Sequence, residues 1–375
     1  MKLAPTSKCS ACMACIDACS HRVLDAILDE QSGFFKIKAV NIDACTNCGL
    51  CTKSCPILTP PQRQKIISSL AVWTINDDLR RKCASGGAFG AMASQIIEGG
   101  GVAVGATIKG FDIIHSTAET ASDLIPLLGS KYQHSDTRGI YRIVRHLLIQ
   151  GRMVLFSGLS CQVAGLKAFL GDKPYPNLIT VDTICGGLST MLPMLALKNS
   201  GKYTAIASFR DKENGWRAQG FKYALKMQCS DGFIENLGLD NPVLNTFSSK
   251  LLKRANCLNC QFNGEERVAD ITIGDFWADT TNRDQHAKGL SVAIVRSQKA
   301  LELVHESLQS RQTTIDAIVA GNPNLLGGRY PLVKYIPTRN KALKLQKEQR
   351  FAEAQHLMSP NTLPGILLRI ALKIK

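Results

Sequence analysis

Fourteen cysteines are spread along this chain of 375 residues, and most of them fall in two copies of one pattern. The runs are Cys9-x-x-Cys12-x-x-Cys15-x-x-x-Cys19 and Cys45-x-x-Cys48-x-x-Cys51-x-x-x-Cys55-Pro56, each cysteine of the second lying 36 residues after its counterpart in the first. This is the ligand spacing of a two-cluster bacterial ferredoxin, and the chemistry it implies is electron transfer. Closely spaced thiolates wrap a loop around one face of an iron-sulfur cube, and the fourth cysteine ends a short helix that reaches the other cube. The expected 4Fe-4S ligand sets are Cys9, Cys12, Cys15 and Cys55 for one cluster, and Cys45, Cys48, Cys51 and Cys19 for the other.

Two other uses of these cysteines fit poorly. Disulfides are disfavoured because no apolar signal segment precedes Cys9, which leads us to expect a cytoplasmic protein with reduced thiols. Zinc needs paired thiols separated by roughly a dozen or more residues, whereas four consecutive cysteines at this tight spacing crowd a single tetrahedral ion. Ser20 stands where a proline often follows the fourth cysteine. Proline is a turn device and not a ligand, so the substitution bears on the helix end and not on cluster binding.

Of the remaining cysteines, Cys161 and Cys185 each follow an expected strand, and Cys257-Leu258-Asn259-Cys260 is a tight loop. Separate loops can gather these thiolates at one edge of a sheet, which makes a third cluster one reading. The others are that Cys161 and Cys185 are ordinary buried cysteines, and that Cys257 and Cys260 form a redox pair or half of a zinc site. Cys83 and Cys229 read as unliganded thiols.

The elements that must position these groups begin with a small module, residues 1–60, ended by the Pro60-Pro61 pair, which cannot continue a helix. A body of residues 61–335 and a basic helical tail of residues 336–375 follow. In the body, strands are expected at 101–107, 152–157, 178–184, 204–209, 268–273 and 290–295. Helices are expected at 86–98, 136–150, 161–170, 189–199, 241–254, 298–310 and 339–357. The alternation predicts an α/β (α+β) protein, with a ferredoxin-like N-terminal domain joined to a larger mixed-sheet body. Ligands then belong at loops that follow strands.

An apolar content of 45% supports a full core, and the formal charge is +15. Each 4Fe-4S cluster with its thiolates brings about two negative charges, which lowers the excess without abolishing it. The basic surface suits acidic proteins, phosphorylated cofactors or anionic lipid. Nucleic acid is not expected as a partner, because the basic residues are dispersed and no recognition helix stands out. No apolar run reaches the roughly 18 residues that a membrane span needs. Residues 361–375 set Ile366, Leu367, Ile370 and Leu372 among Arg369, Lys373 and Lys375. A terminal helix packed on the body is favoured there over peripheral membrane contact.

The segments Ala84-Ser85-Gly86-Gly87-Ala88-Phe89, Gly129-Ser130-Lys131-Tyr132, Phe156-Ser157-Gly158-Leu159-Ser160-Cys161-Gln162, Asp182-Thr183-Ile184-Cys185-Gly186, Phe209-Arg210-Asp211-Lys212, Cys257-Leu258-Asn259-Cys260 and Asp270-Ile271-Thr272-Ile273-Gly274-Asp275-Phe276-Trp277 occur in this order. Together with the cysteine-rich start, they make the chain resemble the coenzyme F-420 (deazaflavin) hydrogenase/dehydrogenase beta-subunit family. The resemblance implies an FAD-containing iron-sulfur oxidoreductase and favours the third cluster at Cys161, Cys185, Cys257 and Cys260. The family includes subunits acting on the deazaflavin coenzyme, ferredoxin-linked reductases, and bacterial members resembling proteins encoded with polysaccharide biosynthesis enzymes. Ser160 and Gly186-Gly187 depart from its usual pattern, so the deazaflavin substrate is not carried over.

Within that frame, Ser85, Gly86 and Gly87 precede a helix and offer backbone amides to a flavin pyrophosphate, with charge from Arg80, Arg81 and Lys82. The plainer reading is a serine N-cap with glycines for a tight turn. Lys131 is placed to hold a phosphate or ribityl oxygen. Asp275, with Phe276 and Trp277, offers a carboxylate beside two large rings that wall a flavin or simply fill the core. His134 and Tyr132 are the candidate proton donors, with His115 a further one. A flavin suits the clusters because it interconverts one-electron and two-electron chemistry. The expected path runs from a ferredoxin or partner subunit through the clusters to FAD and a small-molecule substrate, in either direction. The alternative is a non-catalytic electron-transfer subunit feeding a partner enzyme. Homo-oligomerisation is left open by the sequence.

Overall fold

The computed structural model describes residues 1–210, 212, 215–216, 225–238, 241–248, 252–279, 283–327 and 336–358. The expected tail pattern at 361–375 lies outside them. Strands β1 (Leu24–Asp29) and β2 (Phe34–Ala39) form an antiparallel hairpin between the two cysteine runs. Strands β3 (Ser68–Trp73), β4 (Val102–Lys109), β5 (Asp112–Ala118), β6 (Val154–Gly158) and β7 (Leu178–Thr183) belong to the main sheet. Strands β8 (Tyr203–Ser208), β9 (Lys226–Cys229) and β10 (Ile234–Asn236) make a separate small antiparallel sheet. Strands β11 (Ile271–Asp275), β12 (Ser291–Val295) and β13 (Gln309–Gln312) return to the main sheet, whose order is β13-β3-β12-β11-β7-β6-β4-β5.

The pairs β4·β6, β6·β7 and β7·β11 are parallel, while the outer pairs are antiparallel. The mixed α/β sheet expected from the sequence is therefore present. Period-two alternation sorts its side chains onto opposite faces. Ala103 and Leu155 pack with Met92 and Ile96 of the helix Ala88–Glu98 and with Leu303 and Val304 of the helix Gln298–Ser307. Their neighbours Val102, Val104, Val154 and Phe156 pack on the other face, against helices Ile140–Ile149 and Ser160–Leu170. Val154, Leu155 and Phe156 are fully buried, so truncation of Phe156 to alanine would cost about 3–5 kcal/mol.

Several elements depart from the expected ones. The strand expected at 204–209 is real, yet it sits in the small sheet. The helix expected at 339–357 divides into Ile336–Lys347 and Phe351–Met358, with Gln349 between them at φ +60°. The helix expected at 298–310 ends at Ser307 because the chain turns into β13.

The cysteine-rich module is docked on the body. Its helix Ala14–Ala18 lies against the helices Ile140–Ile149 and Ser160–Leu170. Gly139 begins the first of these without a side-chain cap of its own. Asp17 supplies the cap from the module, accepting the Gly139 amide at 2.6 Å and the Tyr141 amide at 3.0 Å. Thr137 Oγ1 and Tyr141 Oη each donate to the Cys12 carbonyl at 2.8 Å. Gly165 completes the seam: a Cβ there would lie 2.9 Å from Cys12 Sγ.

Candidate functional site: three thiol sets and a cavity

The two cysteine loops share one backbone shape. Ala11 and Met13 have φ of +52° and +65°, and Asn47 and Gly49, their counterparts in the repeat, have +53° and +76°. Left-handed residues curl each loop back so that its thiols face a common space. In the first set, charge on Cys9, Cys12 and Cys55 acts on Cys15, and charge on Cys9 and Cys55 acts on Cys12, so these four thiols are near neighbours. In the second, Cys19, Cys45, Cys48 and Cys51 line a single hollow. Backbone amides of Ala11 and Val23 point at Cys9 Sγ and Cys19 Sγ, both at 3.4 Å. Burial pushes the Cys12 thiol up to about 12 and the Cys9 and Cys15 thiols up as well. Iron binding must therefore displace protons that these thiols would otherwise keep.

Cys161, Cys185, Cys257 and Cys260 also come together. Cys161 lies in the first turn of the helix after β6, Cys185 follows β7, Cys257 lies within the short turn Ala255–Asn259, and Cys260 ends that turn. Cys161 feels Cys260, Cys257 and Cys185, and both Cys257 and Cys260 feel Cys185. The amides of Gly187 and Leu188 donate to Cys185 Sγ at 3.3 Å and Cys257 Sγ at 3.4 Å. Burial drives all four thiols up, Cys257 to about 12. Among the described residues, no three histidine, cysteine or carboxylate side chains converge closely enough to hold a single metal ion.

The three sets form a series. Cys51 of the second set acts on Cys15 of the first, and Cys12 of the first acts on Cys161 of the third. Cys185, from the third, lies in the wall of a cavity of about 590 Å³ at the carboxyl ends of β6, β7 and β11. That volume lies within the usual range for small-molecule and cofactor sites.

Of the residues singled out in the sequence, Ser85, Gly87, Lys131, Tyr132, His115, Asp275 and Trp277 line this cavity. Gly86 does not. Its amide donates to Ser291 Oγ, and a Cβ there would lie 2.5 Å from the Val72 carbonyl oxygen, so close packing between β3 and β12 explains this glycine. Ser85 is not the helix cap, since its hydroxyl donates to Leu290 O; Gly87, at φ +86°, stands at the N-cap. Arg80, Arg81 and Lys82 are absent from the wall. Arg80 turns inward to the carbonyls of Gln285 and Gly289, and Arg81 pairs with Asp78. The cations at the wall are Lys131 and Lys253. Lys131 Nζ donates to Pro126 O at 3.0 Å and Leu128 O at 2.7 Å, and burial lowers it to about 7.

His134 is also outside the wall. It is buried edge-on against Phe35, and burial lowers it to about 3, so it is a neutral packing residue there and is not placed to exchange a proton with a cavity ligand. Phe276 is core, whereas Trp277 stacks on Trp216 at 4.5 Å. Asp275 Oδ2 pairs with Arg210 at 3.1 Å while its Oδ1 has no partner. Gln133, missed in the sequence because an isolated amide carries no motif, lines the cavity with both amide atoms unpaired. His115 donates Nε2–H to Ser157 O at 3.0 Å, leaving Nδ1 unpaired.

Residues 151–320 match the family model for the C-terminal part of the beta subunit in coenzyme F420 hydrogenase/dehydrogenase, and residues 8–57 match the 4Fe-4S dicluster domain. Residues 151–320 thus carry the C-terminal domain of that beta-subunit family, behind a 4Fe-4S dicluster domain. The chain is an iron-sulfur redox protein whose N-terminal dicluster domain carries electrons. No curated protein matches it. Among solved structures it is similar to a chain of the xenon-derivatized F420-reducing [NiFe] hydrogenase complex from Methanosarcina barkeri. The identity is 15% and the TM-score 0.45, covering 77% of this chain and 92% of that one. The beta-subunit match spans β6 to the helix Ile315–Gly321, and so takes in Cys161, Cys185, Cys257, Cys260 and Asp275. No helix among the described residues is long and apolar enough to cross a membrane.

Proposed function

We propose that this protein is an iron-sulfur flavoprotein oxidoreductase that passes electrons between a ferredoxin-type donor or partner subunit and a small-molecule substrate. The observation that carries the reading is the series of three thiol sets ending at the wall of a cavity. The Cys9, Cys12, Cys15 and Cys55 set and the Cys19, Cys45, Cys48 and Cys51 set would hold the dicluster domain's two clusters. Cys161, Cys185, Cys257 and Cys260 would hold a third.

The cavity residues fit FAD. Lys131, Lys253 and the N-terminus of the helix Ala88–Glu98, which no side chain caps, suit a pyrophosphate. Unpaired atoms of Gln133, His115 and Asp275 suit the polar edge of a ring, and Trp277 and Tyr132 wall it. The flavin, when bound, supplies interchange between one-electron and hydride chemistry. Tyr132 is the proposed proton donor, since it lines the cavity and His134 does not.

Anaerobic purification with iron, sulfide and flavin quantitation tests the scheme. About twelve irons and one FAD per chain are expected, and eight irons without flavin would refute it. Protein that reduces an artificial acceptor but turns over no metabolite alone would favour the electron-transfer subunit instead.

A further inference from the structure

Arg254 is buried, at 5% exposure, on the segment just before the Cys257 turn. Its Nε donates to the Cys9 carbonyl at 3.1 Å and its Nη1 to the Phe35 carbonyl at 2.7 Å. Its own carbonyl accepts the Cys257 amide at 2.9 Å. One residue therefore ties the first cysteine loop of the module to the last cysteine turn of the body. Its charge acts on Cys9 and on Cys257 alike.

The guanidinium has an unusual set of partners. The other buried arginine near the thiols, Arg267, pairs with Asp182 at 3.1 Å, and Arg210 pairs with Asp275. Arg254 meets carbonyl oxygens and, at 5.8 Å, the Phe34 ring; no carboxylate is paired with it among the described residues. His134, which also feels it, is held neutral. A guanidinium cannot shed its proton at any ordinary pH. A buried charge without a counter-ion is costly, and the groups available to balance it are the two thiol sets on either side. With iron bound, each set carries about two negative charges when oxidised and about one more when reduced.

We propose that Arg254 is the built-in counter-cation of the Cys9 and Cys257 centres, a positioning residue that favours the reduced state of both and holds them at a fixed separation. The assignment rests on the three-cluster reading above. Each cluster gains one electron from the donor, no proton or bond is exchanged, and the fixed positive charge stabilises the added negative charge. The Cys19, Cys45, Cys48 and Cys51 centre, to which Arg254 makes no hydrogen bond among the described residues, serves as the internal reference.

The test is an EPR-monitored potentiometric titration of anaerobically reconstituted wild-type protein, Arg254→Gln and Arg254→Lys, with iron counted in the same samples. Arg254→Gln at full iron is expected to disfavour reduction of two of the three clusters about tenfold, about 59 mV for a one-electron couple, leaving the third unchanged. Unchanged potentials at full iron would overturn the proposal. If Arg254→Gln fails to load, Arg254→Lys decides. Potentials near wild type in that variant support a role for charge, and a tenfold loss there overturns it. Eight irons in the wild type itself would refute the three-cluster reading and, with it, the Cys257 half of the assignment.

Discussion

Replacing Gly165 with alanine sets two known effects against each other. Gly165 lies within the helix Ser160–Leu170, where the change removes backbone freedom from the unfolded chain and is worth about 0.5–1 kcal/mol of added stability. The new Cβ would stand 2.9 Å from Cys12 Sγ, 3.1 Å from Cys12 Cβ and 3.2 Å from Tyr141 Oη. Contacts this short force either the helix or the cysteine loop to move, and overpacking of this kind costs about 1–3 kcal/mol. Neither neighbour yields easily, because the Cys12 carbonyl is held by both Thr137 and Tyr141. The net expectation is a loss of about 0.5–2 kcal/mol, a fall of a few degrees in the thermal midpoint for a body of this size. Calorimetry on the anaerobically loaded protein measures it, and iron release gives a second readout. A midpoint that rises would refute the docking of the module against this helix.

Three further outcomes are expected. Alanine at Cys257 should remove about four irons per chain, and unchanged iron content would refute the third cluster. Lys131→Met should weaken flavin retention about tenfold, read as flavin per iron after desalting, with iron content unaltered. His115 is held at about 4, below its ordinary 6.5, because burial disfavours the charged ring. Since the unfolded chain takes up that proton first, stability is full above pH 6.5 and is lost as pH falls towards 4, by up to about 3 kcal/mol. His115→Gln should flatten that limb in urea melts at pH 7 and 5, and an unchanged slope would contradict the burial.

The cysteine sets were legible because spacing alone determines what a loop of thiols can enclose. Cys161 and Cys185 were legible from spacing only as residues after strands, and Cys257 and Cys260 only as a tight loop; what brings Cys161 and Cys185 to one edge is the parallel pairing of β6 and β7. The strands with strong apolar runs, β4, β6, β7 and β12, were found for the same reason that they are buried. β13, whose residues are all exposed, carries no such signal; β3 opens on two serines, and the β1–β2 hairpin sets Asp25, Asp29, Lys36 and Lys38 among its apolar residues. The cavity was partly legible. Lys131 and Asp275 stood in motifs, but Lys253 and Gln133 reach the wall only through tertiary packing. Gly86 and His134 were misjudged because a sequence does not say which way a glycine faces or how deeply a histidine is buried.

The matched left-handed positions of the two cysteine loops differ in what holds them. In the outer loop they are Asn47 and Gly49, residue types that accept this conformation at little cost, and Asn47 is bonded to the chain's own N-terminal amine. In the inner loop they are Ala11 and Met13, which do not, and there the body intervenes: Met13 Sδ faces the Thr137 amide and the Cys12 carbonyl is clasped from residues 137 and 141. The outer loop thus owes its shape to its own residue types, whereas the inner loop owes it to residues 137 and 141 of the body, so a change at that seam reaches the inner cysteines and spares the outer ones.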